Sequence, residues 1–182
     1  MILVLVGKSG SGKSTLADYF DKEDILKKVI TVTTRPKRKD EKSGVDYHFY
    51  TEREFIMGMA NDIFIETESY NDWHYGALKS SIHKDENQVL ILTPSGLKRF
   101  KEWTNKNGIV VKSVYLDVDD DTRMARCMAV RDDKEEVKAR FKRDTENHRD
   151  ARFMCDLTII NDNFEYSTEE IAKRIGAAFA IY

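Results

Sequence analysis

Ile2-Leu3-Val4-Leu5-Val6-Gly7-Lys8-Ser9-Gly10-Ser11-Gly12-Lys13-Ser14 decides the fold. Its opening is an unbroken run of leucine and β-branched residues, the pattern of a central parallel strand buried on both faces. The remainder matches G-x-x-x-x-G-K-[ST] at every fixed position and stands between that strand and a predicted helix, the setting this motif requires. Its glycines let backbone N–H groups turn inward around phosphate oxygens, and a helix starting near Lys13 aims its positive end at the same anion. Gly7, Lys8, Ser9, Gly10, Ser11, Gly12, Lys13, Ser14 and Thr15 are therefore the expected contacts of a nucleoside triphosphate, ATP. Lys13 adds a point charge. Ser14 is the expected ligand of a magnesium ion on the phosphates, because a small hydroxyl can enter the shell of a hard cation.

Further along, similar apolar runs occur at 29–32, 89–92, 109–116 and 157–160, with helix-like stretches between most of them. That alternation predicts an α/β fold: a parallel-sheet P-loop core flanked by helices. Residues 33–85 break the alternation. They hold Asp46-Tyr47-His48-Phe49-Tyr50, a short predicted helix from Glu52, and Ile63-Phe64-Ile65-Glu66, and read as an inserted β-rich subdomain. A second interruption covers about 131–152, where Asp133 is placed to cap a helix with Glu136 three positions on, and Val137 and Phe141 share its apolar face. The expected organisation is one domain over 1–182: a core of about 1–32, 86–130 and 153–182, the insertion at about 33–85, and a helical lid at about 131–152.

Composition narrows the partners. A chain of 182 residues is long enough for one well-buried core, and its net charge of −2 gives no overall basic field of the kind nucleic-acid binders carry. Cys127 and Cys155 stand far apart and form no C-x-x-C pair, which suits reduced thiols and a cytoplasmic location. The N-terminal apolar run is far too short for a membrane span, so neither nucleic acid nor membrane is an expected partner. His48, His74, His83 and His148 show no metal-ligand spacing.

The motif specifies phosphate binding and leaves the acceptor open, since kinases, GTPases and motor ATPases share it. Thr33-Thr34-Arg35-Pro36-Lys37-Arg38-Lys39-Asp40-Glu41 places two arginines where Pro36 prevents an ordinary helix interior. Two guanidiniums there can converge on one anion, and arginine suits a terminal phosphate because its planar fork donates two parallel hydrogen bonds. Taken alone, the stretch reads first as a solvated basic loop.

Thr31-Val32-Thr33-Thr34-Arg35-Pro36-Lys37-Arg38, continuing through Glu41, Gly44 and Asp46-Tyr47-His48-Phe49, resembles the guanylate kinase signature. The resemblance extends to Phe64-Ile65-Glu66 and His74-Tyr75-Gly76, covers about the first half of the chain closely, and is looser in the lid and C-terminal half. It implies that the insertion is a nucleoside-monophosphate-binding subdomain and that the reaction passes the terminal phosphate of ATP to GMP or dGMP. It further implies that Arg35, Arg38, Tyr47 and Tyr75 hold the acceptor phosphate, that Glu66 accepts hydrogen bonds from guanine, and that Thr31 assists at the base. Arg131 and Arg140, with Arg143 beside them, match the lid arginines, and Arg126 lies nearer the adenine; Lys13, Arg35, Arg131 and Arg140 are the implied catalytic set.

Two positions depart from the family pattern. Ala77 stands where a small hydroxyl usually follows the Tyr-Gly pair, and Thr93 stands where the family carries an aspartate near the base, so a carboxylate is expected to be missing there. The alternatives are a related P-loop kinase with another phosphorylated acceptor, and a binding module of the same fold without turnover. Lys13 speaks against the second, because such modules are expected to lose the phosphate-binding lysine.

Overall fold

Ile2, Leu3, Val4, Leu5 and Val6 are all fully buried, because the strand they form is covered on both faces. The structure, a computed structural model, describes residues 1–70, 72–130 and 134–181. In chain order its elements are β1 (Ile2–Val6), α1 (Lys13–Lys22), β2 (Lys27–Lys28), β3 (Val32–Thr33), β4 (His48–Phe49), α2 (Glu52–Ala60), β5 (Phe64–Tyr70), β6 (Trp73–Leu78), β7 (Gln88–Ile91), α3 (Pro94–Lys106), β8 (Val111–Asp117), α4 (Asp120–Val130), α5 (Lys134–Asn147), α6 (Ala151–Met154), β9 (Leu157–Ile160) and α7 (Thr168–Phe179).

The main sheet is parallel, in the order β2-β7-β1-β8-β9, with β1 at its centre. Alternate residues of β1 point to opposite faces. Leu3 and Leu5 pack with Leu16 and Phe20 of α1 and Ile171 and Ile175 of α7. Ile2, Val4 and Val6 pack on the other side with Leu97 and Phe100 of α3 and Ala151 of α6. Helices on both faces explain why the strand is a continuous apolar run.

The second sheet has the order β4-β3-β6-β5. Residues 29–32, which read as one strand in the sequence, form the passage between the two sheets: Val29 still donates to the Val89 carbonyl oxygen at 2.9 Å, residues 30 and 31 belong to no strand, and Val32 opens β3. β2 pairs with β7 at Lys27 and Lys28, whereas Val32 pairs with His48 and Gly76. Hydrophobicity alone does not say which sheet a residue joins, and here the chain crosses from one sheet to the other within the run. Val32, Phe64 and Leu78 bury the second sheet against Phe55 of α2, with the Phe55 and Phe64 rings stacked at 4.6 Å. That helix is fixed at its start by a capping box between Thr51 and Glu54.

α4 and α5 pack through Cys127, Val137 and Phe141. Asp119 caps α4 by accepting from the N–H of Thr122 at 2.7 Å. Asp133, the expected cap of the next helix, lies outside the described residues, as does Arg131 and the side chain of Arg140. No helix among the described residues is long and apolar enough to cross a membrane.

Candidate active site

The loop of residues 7–12 leaves β1 and turns into α1, whose first residue is Lys13. Gly10 (φ 82°) could not be replaced freely: a Cβ there would lie 2.9 Å from Cys127 Sγ and 3.0 Å from the carbonyl oxygen of Arg123. α4 is pressed against the back of the loop. Lys13 Nζ reaches over the loop and donates to the carbonyl oxygen of Lys8 at 2.8 Å. Ser14 and Thr15 are exposed on the first turn of the helix, and Arg126 donates to Thr15 Oγ1 at 3.4 Å while its guanidinium covers the Phe164 ring.

Arg123, which nothing in its sequence neighbourhood marks, holds this loop. It is wholly buried, and its guanidinium donates to the carbonyl oxygens of Ser9 at 2.6 Å and Val118 at 3.2 Å and to Asp120 Oδ1 at 2.5 Å. Its charge also stands 3.9 Å from Asp144 Oδ2, and the Phe141 ring covers it. Asp120 therefore serves Arg123 and Lys8, rather than only favouring the positive end of α4.

Asp144 of α5 is buried, and its Oδ2 accepts the backbone N–H of Ser9 at 2.6 Å. A carboxylate thus occupies a donor of the phosphate cradle. His148, one turn later, lies beside it with Nδ1 3.0 Å from the Asp144 carbonyl oxygen, and burial holds its imidazole below the usual histidine range.

Across the cavity, Arg35 and Arg38 converge on one anion, the Glu41 carboxylate, at 2.6 and 3.7 Å. Tyr47 and Tyr75 meet edge to face at 6.2 Å, and the Arg35 guanidinium lies 5.6 Å from the Tyr47 ring centroid. Pro36 keeps the loop extended, and Thr33 Oγ1 fixes its start by accepting the N–H of Arg35 at 3.1 Å. The fork is filled by a carboxylate, an anion of the kind that paired guanidiniums bind.

Farther in, Glu66 of β5 is 6% exposed. Burial pushes its carboxyl up to about 7, with Arg99 opposing the shift and the Glu68 carboxylate adding to it. Gly96, in the first turn of α3, lets that helix approach: a Cβ there would stand 2.9 Å from Glu66 Oε2. Ala77, paired with Glu66 across the hairpin, brings no hydroxyl. Thr93 caps α3 through the N–H of Gly96 at 3.0 Å and donates to Glu68 Oε2 at 2.9 Å. The carboxylate missing at position 93 is therefore present in space, supplied by Glu68. Sequence reading missed Glu68; its spacing of two from Glu66 on one strand was the available signal.

One cavity of about 460 Å³ joins these groups, lined at one end by Ser9, Lys13 and Ser14 and at the other by Thr31, Arg35, Arg38, Tyr47, Glu66 and Tyr75. It brings the loop of residues 7–12 and the arginine fork into a common space. Arg126 is outside its lining.

A P-loop heading a parallel sheet, facing an arginine fork and a buried carboxylate on a second sheet, places the molecule among the P-loop kinases of small phosphorylated acceptors. The sequence model described as guanylate kinase matches residues 1–178. Guanylate kinase from Mycoplasmoides gallisepticum is 30% identical over 183 residues, covering 96% of this chain and 91% of that protein. Guanylate kinase from Mycoplasma pneumoniae is 41% identical over 109 residues, a match that spans 56% of this chain and 45% of that protein's length. The crystal structure of guanylate kinase from Anaplasma phagocytophilum superposes with a TM-score of 0.72 at 24% identity, covering 99% of this chain and 84% of that one, a likeness of fold. The chain belongs to the guanylate kinase family.

Proposed function

We infer that this chain transfers the terminal phosphate of ATP to GMP, with dGMP as a second acceptor, giving ADP and the nucleoside diphosphate. The observation that carries the reading is the single cavity that Lys13 shares with Arg35 and Glu66. Glu66, almost fully buried and able to accept two hydrogen bonds side by side, suits the N1–H and amine of guanine; adenine offers an acceptor at N1 and fits it poorly.

The chemistry needs no protein base. The acceptor's phosphate oxygen, already ionised at neutral pH, attacks the terminal phosphorus of ATP, and the bond to the bridging oxygen breaks to release ADP. Lys13 supports the charge on the donor side, and Arg35 and Arg38 fix the acceptor phosphate once it displaces Glu41. Tyr47 and Tyr75 orient that phosphate by their hydroxyls, and Thr31 assists at the base. Arg131, Arg140 and Arg143 are our lid arginines, closing over the transferring group and excluding water. Gly7, Lys8, Ser9, Gly10, Ser11, Gly12, Ser14 and Thr15 hold the ATP phosphates, with Arg126 toward the adenine.

Kinases of this type use a divalent ion with ATP. Ser14, exposed on the cavity wall, fits such an ion held mainly by phosphate and water, and no group of three or more His, Cys, Asp or Glu able to hold one occurs among the described residues. Mg2+ is our assignment, and bound there it would neutralise phosphate charge. We read Cys127 and Cys155, both unpaired, as pointing to the cytoplasm, and the GMP reading assigns the chain to purine nucleotide metabolism. A different acceptor, or a module without turnover, is not favoured.

The test is ADP formation from ATP and Mg2+ with GMP, dGMP, AMP, CMP, UMP or no acceptor, with Lys13→Ala as the blank. Turnover with GMP or dGMP alone is expected. Turnover that ignores the acceptor, or none with any monophosphate, would overturn the assignment.

A further inference from the structure

We propose that Glu68 is a specificity-determining residue of the acceptor site, a second carboxylate that reads the exocyclic amine of guanine beside Glu66. The proposal rests on the GMP kinase reading above.

Glu66 and Glu68 are two apart on β5 and point to the same face of the hairpin, and both line the cavity. The two oxygens of Glu68 have different surroundings. Oε2 accepts from Ser95 Oγ at 2.6 Å, Arg99 NH2 at 2.7 Å and Thr93 Oγ1 at 2.9 Å. Oε1 has no donor among the described residues. The side chain is clamped by one oxygen, which leaves the other as the acceptor that this cavity-lining residue can give to a bound base. The clamp is built from the start of α3, whose N-terminal end also favours a negative charge.

Such an acceptor needs a donor that Glu66 does not already satisfy. Guanine presents N1–H and an amine with two hydrogens. A carboxylate facing that edge takes N1–H and one amine hydrogen, which leaves the second amine hydrogen for another acceptor. Glu68 Oε1 is a fixed and charged acceptor in the same cavity. Meanwhile Ala77, paired with Glu66 across the hairpin, offers no hydroxyl to the guanine carbonyl. Base recognition in this chain therefore rests on the amine more than on the carbonyl. Inosine monophosphate keeps N1–H and the carbonyl and lacks the amine, so it isolates the contribution of Glu68.

Glu68→Gln is the informative variant. Arg99 NH2 can only donate, so the carboxamide keeps its oxygen at the Oε2 position, where the two hydroxyls also donate, and its NH2 takes the place of Oε1, where it opposes the amine of guanine. The clamp and the fold are kept. The measurement is kcat/KM for GMP and for inosine monophosphate in the wild type, Glu68→Gln and Glu68→Ala, with thermal denaturation of each variant. We expect the GMP value to fall about tenfold or more in Glu68→Gln, the size of a lost hydrogen bond to a charged group, chiefly through KM. The inosine monophosphate value should stay within about threefold. Glu68→Ala should lower the GMP preference in the same direction. An unchanged ratio between the two acceptors, or an equal fall for both, would overturn the proposal and leave the kinase reading intact. A wild type that phosphorylates neither would overturn that reading, and this proposal with it.

Discussion

The carboxylate of Asp144 and the backbone N–H of Ser9 are joined by a 2.6 Å hydrogen bond, so a side chain from α5 fills part of the loop to which the proposed function gives the ATP phosphates. Two negative groups cannot share that donor, and ATP binding must break the contact. Asp144→Ala should therefore bind ATP more tightly, by about tenfold, the worth of a charge-assisted hydrogen bond that no longer has to be displaced. Titration calorimetry with ATP on both proteins checks this. Equal or weaker binding in the variant would show that Asp144 leaves the loop without cost.

Arg123 is buried with partners on three segments. Arg123→Met leaves the Ser9 carbonyl without its donor and Asp144 without its neighbouring charge. Breaking a buried pair from one side costs about 3 kcal/mol or more, which for a domain of this size lowers the melting temperature by roughly 10 °C. Thermal unfolding of the two proteins reads the difference, and a shift of only a degree or two would contradict it.

Burial pushes the Glu66 carboxyl up to about 7 from an ordinary value of 4.5. Between those values the folded chain keeps a proton that the unfolded chain has released. The contribution of Glu66 to stability is full below pH 4.5 and is lost as the pH rises through 7, a change of about 3 kcal/mol. Glu41, Asp120 and Asp156 are shifted down by their partners and act in the opposite sense. The observable is thus the difference between the wild type and Glu66→Gln in denaturant titrations at pH 5 and pH 8: the variant should gain stability relative to the wild type at the higher pH. If Glu66 reads guanine as proposed, GMP needs the ionised carboxylate, so its affinity should weaken about tenfold from pH 8 to pH 6 through this group alone, and the dependence left in Glu66→Gln should be that of the phosphate.

Arg35 faces the Glu41 carboxylate at 2.6 Å and lies over the Tyr47 ring. Lysine keeps the charge but loses the planar fork. Arg35→Lys should raise KM for GMP roughly ten- to a hundredfold, with KM for ATP changed little. Steady-state kinetics with each substrate varied separately decides it, and an equal rise in both would place Arg35 elsewhere in the cycle.

Features written in contiguous residues were legible in the sequence. The β1 run and the loop after it specify strand, turn and helix by local rules, and the basic loop around Arg35 and Arg38 became legible through the signature it shares with the family. Contacts made between distant segments were not legible. Asp144 is 135 residues from Ser9, and Arg123 is 114 residues from the carbonyl it holds. Neither separation leaves a periodic or compositional trace. Thr93 misled in an instructive way: read along the chain, a charge had disappeared at that position, but folding brings Glu68 to its hydroxyl from 25 residues upstream. The passage of 29–32 from one sheet to the other escaped for the same reason, because apolar pattern records burial and not the identity of the neighbour.

The single guanidinium of Arg123 has a consequence for how this sequence can drift. It answers to the phosphate loop, to α4 and to α5 at once, so a replacement at any one of Ser9, Asp120 or Asp144 is felt at the other two. Isolated changes in this corner are penalised, and descendants that differ here should differ in matched sets, with residue 123 changing in step with an acidic partner.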